Sequence, residues 1–305
     1  MTAGPWLLVA VITAVFLEWT VIEPPERLHP VAIFGRALAP CDRAWPTPRL
    51  AGVGVALVAP LIAAGVSAVA VALVTTITVG AGAVTAGGVL FVSTSLRMLL
   101  ARADRTIAAS EHDVAAARAH LPALVGRDPT SLSDREIRSA AVESAAENLA
   151  DGLVAPLMAF LIGGIVALPL GAAAATWVKA VNTLDSMFGY PDRPFGTAAA
   201  RLDDAVMWLP ARASALLIAV VARQREALTT ARKAAPQAPS PNAGWPMGAL
   251  AGALDVRLEK PGEYVLNAEA SLPTPSQATT GTHVVGLAGG VTYALAVLVG
   301  VIVWI

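Results

Sequence analysis

Charged residues are scarce in this sequence and unevenly spread. Asp, Glu, Lys and Arg make up 14% of its 305 residues, against about 25% in a soluble domain of ordinary composition. They gather in blocks between long uncharged stretches, as in proteins whose helices cross a bilayer. The scarcity excludes an ordinary soluble domain. It predicts an all-α fold, a multi-pass integral membrane helical protein with cytoplasmic polar loops and helices.

Several common signatures of function are also missing. The single cysteine, Cys41, excludes an internal disulfide and offers no metal-site spacing. A net charge of −1 gives no reason to expect nucleic acid as a partner. No Walker-type Gly-Lys motif, His-Glu zinc spacing or Gly-x-Ser-x-Gly elbow occurs, so a nucleotide would bind without a P-loop. The apolar start lacks a basic n-region, which favours a retained first span over a cleaved signal peptide.

Uncharged stretches that are long enough to meet the bilayer recur along the chain. The predicted spans, within a single membrane domain of residues 1–305, are approximately 5–21, 50–74, 80–98, 152–178, 206–222 and 284–305. The polar blocks between them are 23–49, 97–151, 179–205 and 223–283. Basic residues flank both ends of the stretch Leu50–Leu96. We therefore expect a hairpin there that turns at Thr75–Gly82 and has both ends in the cytoplasm.

The path of residues 152–222 has two solutions on sequence grounds. Residues 152–178 either cross once, with 206–222 returning and 179–205 outside, or they fold back at Pro169-Leu170-Gly171. In the second case 179–205 stays in the cytoplasm, and 206–222 lies in the interface or re-enters the bilayer. The basic residues of 179–205 favour the cytoplasm, and we prefer the second arrangement.

Carboxylates lie directly before the third long uncharged stretch. Ser133 and Glu136 have capping-box spacing at the start of a predicted helix. Glu143, Glu147 and Asp151 follow at intervals of four and would form one stripe on that helix. Like charges at this spacing repel by roughly 0.2–0.5 kcal/mol per pair. The stripe is therefore either a solvated helix face or a site that uses water, arginines or bound Mg²⁺.

The polar block at 179–205 carries a second set of donors. Lys179, Asn182 and Asp185 are three residues apart, so one helix face would present an amine, an amide and a carboxylate. Asp203 and Asp204 follow after a turn-rich loop. Carboxylate and amide oxygens suit Mg²⁺, whereas Lys and Arg suit phosphate. Each residue taken singly would also fit an ion pair at a helix end.

Eight short motifs, in the order in which they occur, carry a family resemblance. They are HPVAIFGR (His29–Arg36), GRDPTSL (Gly126–Leu132), VESAAENLADGLVAPL (Val142–Leu157), KAVNTLDSMFGY (Lys179–Tyr190), ARLDD (Ala200–Asp204), PAR (Pro210–Arg212), SPNAGW (Ser240–Trp245) and AGALDVRL (Ala251–Leu258). Together they resemble the cobalamin-biosynthesis CobD/CbiB family, the adenosylcobinamide-phosphate synthases, over nearly the whole chain. The combination of ENxADG with NTLDSMxGY is the most specific part of the resemblance.

The resemblance implies a multi-pass membrane enzyme of vitamin B12 synthesis, an acid–amine ligase. Members of this family join aminopropanol or its O-phosphate to a propionate carboxyl of adenosylcobyric acid and use ATP. The implied cofactors are ATP, as a substrate, and Mg²⁺. The implied partners are the corrinoid, the amine, the lipid bilayer and other membrane enzymes of nucleotide-loop assembly. The implied location is the cytoplasmic membrane, with the active site on its cytoplasmic side.

The resemblance also implies candidate site residues, whose roles we assign by residue type. The catalytic candidates are Glu147, Asp151, Asp185 and Asp203. The candidates for binding substrate or phosphate are His29, Arg127, Asn148, Lys179, Asn182, Arg201 and Asn242. The metal candidates are Glu147, Asp151, Asp203 and Asp204.

The chain departs from the family pattern at a few positions. Ile22 stands where Gly is usual, Met207 where Asn is common, Met247 where Glu is frequent, and Glu259-Lys260 where Gly-Gly is usual. These departures leave the substrate contacts at those positions unassigned, above all an amide donor at 207.

A second function stays open, that of a non-catalytic membrane scaffold or transporter for corrinoid intermediates whose polar motifs only bind. A transporter is expected to carry ionisable residues inside its spans. Leu50–Leu96 and Val284–Ile305 contain none. Charges at the membrane edge favour chemistry at a membrane surface.

Overall fold

Helices account for most of the chain. The structure, a computed structural model, describes residues 4–21, 23–25, 27–126, 128–190 and 192–305. Its first helices are α1 (Gly4–Thr20), α2 (Pro30–Leu38), α3 (Pro48–Ile77), α4 (Val79–Ser93), α5 (Leu96–His112), α6 (Val114–His120) and α7 (Asp134–Leu149). The later helices are α8 (Ala155–Val166), α9 (Leu168–Phe188), α10 (Thr197–Val206), α11 (Trp208–Ala222), α12 (Glu226–Ala234), α13 (Gly244–Leu254) and α14 (Pro275–Trp304). An antiparallel hairpin pairs β1 (Leu258–Lys260) with β2 (Tyr264–Leu266).

The helices confirm the predicted class of an all-α, multi-pass membrane protein. Within the described residues, four helical segments are long and apolar enough to cross a bilayer, namely Pro48–Ile77, Val79–His112, Asp134–Val166 and Pro275–Trp304. A fifth is present if α10 and α11 form one broken span. The apolar α1 is shorter than these segments, and the helical region near the carboxyl terminus begins at Pro275, well before the predicted start at 284.

The contacts divide the chain into two compact units. The first unit comprises Met1–Ser95, Asp151–Met207 and Tyr293–Ile305. The second unit comprises Leu96–Ala150 and Trp208–Thr292. Each unit is therefore assembled from segments that are far apart in the sequence, and the polar motifs are shared between the two.

Close helix packing in the first unit depends on small residues. A side chain at Gly87 of α4 would run into Ala10 and Thr13 of α1. The α3–α4 pair turns at Thr78, inside the predicted turn, and the Thr78 hydroxyl accepts a hydrogen bond from the Ala81 amide to cap α4. The outward side chains of α3 are apolar, for example Leu61, which is 62% exposed. Such a surface suits contact with lipid.

Residues 152–178 belong to a helical hairpin within the first unit. The chain reverses at Ala167, two residues before the predicted turn at Pro169, and α9 packs back along α8. A side chain at Gly171 would meet the Phe160 carbonyl and the Gly164 backbone, so these helices touch through their backbones. The fold-back of the second arrangement is therefore present, and the cytoplasmic placement of 179–205 that goes with it stays a prediction. Because the two helices are antiparallel, Asn182 on α9 lies beside Asp151, which precedes α8.

The second unit contains the predicted helix of the carboxylate stripe. Ser133 and Glu136 form both hydrogen bonds of the capping box at the start of α7, as predicted. Glu143 is only 2% exposed and accepts hydrogen bonds from the Ser139 hydroxyl (2.6 Å) and the Tyr264 hydroxyl (2.7 Å). The Tyr264 contact fastens the β-hairpin to α7. For Glu143, the interpretation of the stripe as a solvated helix face is therefore wrong.

Most of the departures from the family pattern take part in local packing. Met207 is buried, and Met247 lies 3.9 Å from the Tyr264 hydroxyl. Glu259 forms an ion pair with Arg257 at 3.0 Å, and Lys260 forms one with Glu263 at 2.7 Å. Ile22 lies outside the described residues.

Candidate active site

The register of the α8–α9 hairpin brings two of the polar motifs into contact. The Asn182 amide donates a hydrogen bond of 3.0 Å to Asp151 Oδ2 and lies 3.5 Å from Asp203 Oδ1. One amide group on α9 thus bridges two carboxylates from different elements. Asp203 is 7% exposed, whereas Asp151 is partly exposed. Within the first unit, this bridge is the centre of the candidate site.

Asp151 lies on a π-helical turn, Ala150–Val154, between α7 and α8. Such a turn widens the helix by one residue and is frequent at functional sites. Because the turn changes the angular position of each side chain, the four-residue spacing of the predicted stripe does not continue regularly through Asp151. The spacing alone carried no signal for this turn.

Lys179 supplies the positive charge of the site. It precedes Asn182 by one helical turn on α9, and its ammonium group interacts with the carboxylates of Asp151, Glu23 and Asp203. Burial lowers the pKa of Lys179, and these three carboxylates oppose that shift. Part of the Lys179 residue is exposed at the surface of the first unit.

Asp185 follows Asn182 by one helical turn. Burial raises the pKa of Asp185 to about 6, and the negative charges of Asp204 and Asp151 shift it in the same direction. A carboxylate with a pKa near 6 accepts a proton more readily than an ordinary aspartate and is still ionised at neutral pH. Gly189 packs directly on the Asp185 carboxylate and leaves no room for a side chain of its own.

His29 and Glu23 lie beside this group. His29 Nδ1 accepts a hydrogen bond from the Val31 amide (3.3 Å) and caps α2, while Nε2 lies 3.7 Å from Glu23 Oε2. With Nδ1 as an acceptor, the imidazole proton belongs on Nε2, facing Glu23. Burial and the nearby Lys179 charge lower the pKa of His29, so the ring is neutral at neutral pH. It therefore brings no positive charge to a phosphate.

Glu23 is the site residue that sequence reasoning missed. It lies in the proline-containing loop that leads to His29 and was not among the predicted site residues. Its interaction with Lys179 places it in the same group as Asp151 and Asp203. The prolines Pro24 and Pro25 beside it were the only local signal, because they restrict the conformation of the loop.

The predicted site residues fall into two sets. In the first unit, Asp151, Lys179, Asn182, Asp185, Asp203 and Asp204 come together, with His29 beside them. Arg201 is exposed on α10, and no contact joins it to this group among the described residues.

Glu147, Asn148 and Asn242 belong to the second unit. There the Asn148 amide donates to the Ser144 carbonyl at 3.0 Å, and Asn242 accepts from Arg212 at 3.1 Å. Arg127 lies outside the described residues.

The donor set suits a magnesium ion that arrives with phosphate. In the described part of the chain, no three His, Cys, Asp or Glu side chains are grouped closely enough to hold a metal by themselves. Mg²⁺ is usually bound by one or two carboxylates together with substrate phosphates and water. Asp151 and Asp203, which share the Asn182 amide, fit that role. The four-residue metal set with Glu147 and Asp204 stays a prediction.

Comparisons with known proteins identify the family. A family model described as CobD/Cbib protein matches residues 11–288. The probable cobalamin biosynthesis protein CobD of Methanothrix thermoacetophila is 34% identical, over 91% of this chain and 92% of its own length. The cobalamin biosynthesis proteins CobD of Mycobacterium tuberculosis H37Rv and Rhodobacter capsulatus are 40% and 36% identical, covering 87% and 83% of this chain and 85% and 83% of their own lengths. No solved structure matches. With a family model over most of its length and relatives of this identity, the chain belongs to the CobD/Cbib family of cobalamin biosynthesis proteins.

Proposed function

We propose that this protein is an ATP-dependent acid–amine ligase. It joins aminopropanol or its O-phosphate to a propionate carboxyl of adenosylcobyric acid and yields adenosylcobinamide or its phosphate. One observation carries the proposal. Lys179, the carboxylates bridged by Asn182, and Asp185 lie together on adjoining elements of one unit. Membership of the CobD/Cbib family supports a role in cobalamin biosynthesis. The types of these side chains support the ligase chemistry.

The reaction needs two transfers. A propionate oxygen attacks the γ-phosphorus of ATP, the new O–P bond forms, and ADP leaves with the electrons of the broken P–O bond. The amine nitrogen then attacks the acyl carbon of the acyl phosphate. A C–N bond forms, the C–O bond breaks, inorganic phosphate leaves, and the nitrogen gives up a proton. The site must therefore neutralise phosphate charge and accept a proton.

Each of these needs has a matching side chain. The Lys179 ammonium is placed to pair with a phosphate oxygen, and Asn182 holds the Asp151 and Asp203 carboxylates in position. Those two carboxylates would hold Mg²⁺, which when bound neutralises the charge of the triphosphate. Asp185 is our candidate for the base that takes the proton of the amine. The negative charge of Glu23 would balance part of the Lys179 charge, and the neutral His29 lies beside Glu23.

The position of the site suits a large amphipathic substrate. The polar group lies at the open end of the apolar α8–α9 hairpin. A corrinoid held there would stay at the membrane surface, and we place that surface on the cytoplasmic side of the cell membrane. The other membrane enzymes of nucleotide-loop assembly are proposed partners at the same surface.

The direct test is a reaction with purified full-length protein in detergent. With ATP, Mg²⁺, adenosylcobyric acid and either amine, we expect ADP and an amide product of the corresponding mass. Asp185→Asn should lose most of this turnover, whereas Asp192→Asn, on the exposed loop after α9, should keep it. If corrinoid binds but no ADP forms with either amine, the ligase proposal fails and a scaffold or transporter takes its place.

A further inference from the structure

Arg212, one turn after the start of α11, is held in a fixed position by its neighbours. Its Cζ atom lies 4.4 Å from the centre of the Trp208 ring and 4.8 Å from that of Trp245, both within cation–π range. Nη1 donates hydrogen bonds to the Trp208 carbonyl (2.6 Å) and to Asn242 Oδ1 (3.1 Å). Two indole rings and two hydrogen bonds thus define the plane of the guanidinium group.

One edge of this guanidinium remains available. Nε and Nη2 of Arg212 have no hydrogen-bond partner, and no carboxylate forms an ion pair with them, among the residues that the structure describes. These N–H groups form the planar fork that binds phosphate or carboxylate through two parallel hydrogen bonds. Arg212 is partly exposed, so an anion can reach it. Because the group is already ordered, binding costs little additional side-chain entropy.

The surroundings favour a phosphate group next to apolar material. Trp245 lies in the first turn of α13, and the amino end of a helix favours negative charge. Trp208 is 56% exposed and the adjacent Leu209 is 52% exposed. Tryptophan is enriched at the level of the lipid headgroups, where its ring contacts both apolar and polar groups.

We propose that Arg212, positioned by Trp208, Trp245 and Asn242, is a binding site for a phosphate group in the second unit. Asn242 was predicted to bind substrate or phosphate, and here it acts through Arg212. The ligand's phosphate belongs either to a soluble phosphorylated molecule or to an anionic phospholipid, and both sources present the same oxygens to the fork. The site does not require the ligase reaction, since Asp151, Lys179, Asp185 and Asp203 take no part in it.

The test compares the wild-type full chain with three variants. Arg212→Gln removes the charge and the fork, and Arg212→Lys keeps the charge but loses the fork. Arg232→Gln changes an exposed arginine of α12 and serves as the control. Binding of inorganic phosphate is measured by titration calorimetry in a non-ionic detergent. Retention of phosphatidylglycerol against phosphatidylcholine is measured by native mass spectrometry from mixed micelles.

Two results support the site and identify the source of the phosphate. Saturable phosphate binding that weakens roughly tenfold or more in Arg212→Gln, less in Arg212→Lys and not in Arg232→Gln indicates a soluble ligand. Selective retention of phosphatidylglycerol with the same order among the variants indicates a lipid. If Arg212→Gln does not fold, the comparison of Arg212→Lys with wild type decides. Weaker binding in Arg212→Lys supports the site, whereas equal binding shows that any cation suffices and overturns the proposal. Equal binding in wild type and both Arg212 variants, or no binding of either probe, overturns the proposal.

Discussion

Asp185 makes the chemistry of the proposed site sensitive to pH. Burial and the charges of Asp204 and Asp151 raise its pKa to about 6. A base works only when it is deprotonated, so activity should be low below this pKa and rise as the pH passes through about 6. We expect this rise in kcat/KM for the amide-forming reaction, measured between mildly acidic and neutral pH.

Asp185→Asn supplies the control for that assignment. The amide cannot take up a proton, so the variant should be slow at every pH and should lack the rise near 6. Asp192→Asn should keep both the rise and the rate. An acid limb that persists unchanged in Asp185→Asn would assign the titration to another group and remove Asp185 from the role of base.

His29 should matter for stability through the cap it provides to α2. Its Nδ1 accepts the hydrogen bond of the Val31 amide. His29→Ala loses that acceptor and is expected to lower the free energy of unfolding by about 1 kcal/mol, whereas His29→Asn, with a good capping side chain, should recover most of it. Thermal unfolding in detergent measures both. If His29→Asn were as unstable as His29→Ala, the contact with Glu23 rather than the cap would explain the loss.

At the scale of elements, the α8–α9 hairpin brings the site together, and its tight packing is open to test. A methyl group at Gly171 would lie 2.9 Å from the Phe160 carbonyl and 3.0 Å from Gly164 Cα. Gly171→Ala should force the two helices apart, at a cost of roughly 1–3 kcal/mol in stability. It should also lower activity, because Asp151 and Asn182 are on opposite arms of the hairpin.

Gly88 on α4 provides the control for this test. Its replacement by alanine changes the helix propensity in the same way as Gly171→Ala but creates no steric contact. Gly88 has open space where a methyl group would be placed, so Gly88→Ala should be neutral or slightly stabilising. Both variants are compared by thermal unfolding and by amide formation. Equal stability of the two proteins would show that the α8–α9 contact is looser than the structure indicates.

The features that the sequence predicted well are those formed by residues close together in the chain. The Ser133–Glu136 capping box and the turn between α3 and α4 depend on residues a few positions apart, and both occur where they were expected. Tyr264 on Glu143 and Asn182 on Asp151 join residues far apart in the chain. The spacing of each motif cannot reveal such pairings, because they follow from helix packing. For the same reason the stripe gave no sign that Glu143 is buried.

At the scale of the whole molecule, the loop after α9 indicates on which side of the membrane the site lies. Within the first unit, Phe195 packs on Gly52, Trp45 stacks with Phe195, and Arg193 pairs with Asp42 at 3.3 Å. The loop after α9 therefore lies at the start of α3, at the opposite end of that helix from Thr78. Arg43 and Arg49 precede α3, and basic residues favour the cytoplasm.

Cysteine labelling in intact cells should reveal this arrangement. Cys41 is the single cysteine of the chain, so Cys41→Ser gives a background on which Asp192→Cys and Thr78→Cys report the two ends of the first unit. Both positions are exposed. We expect a membrane-impermeant maleimide to label Thr78→Cys from outside and Asp192→Cys only after the cells are permeabilised. Labelling of Asp192→Cys in intact cells would place the candidate site outside, away from cytoplasmic ATP, and would contradict both the topology and the ligase proposal that depends on it.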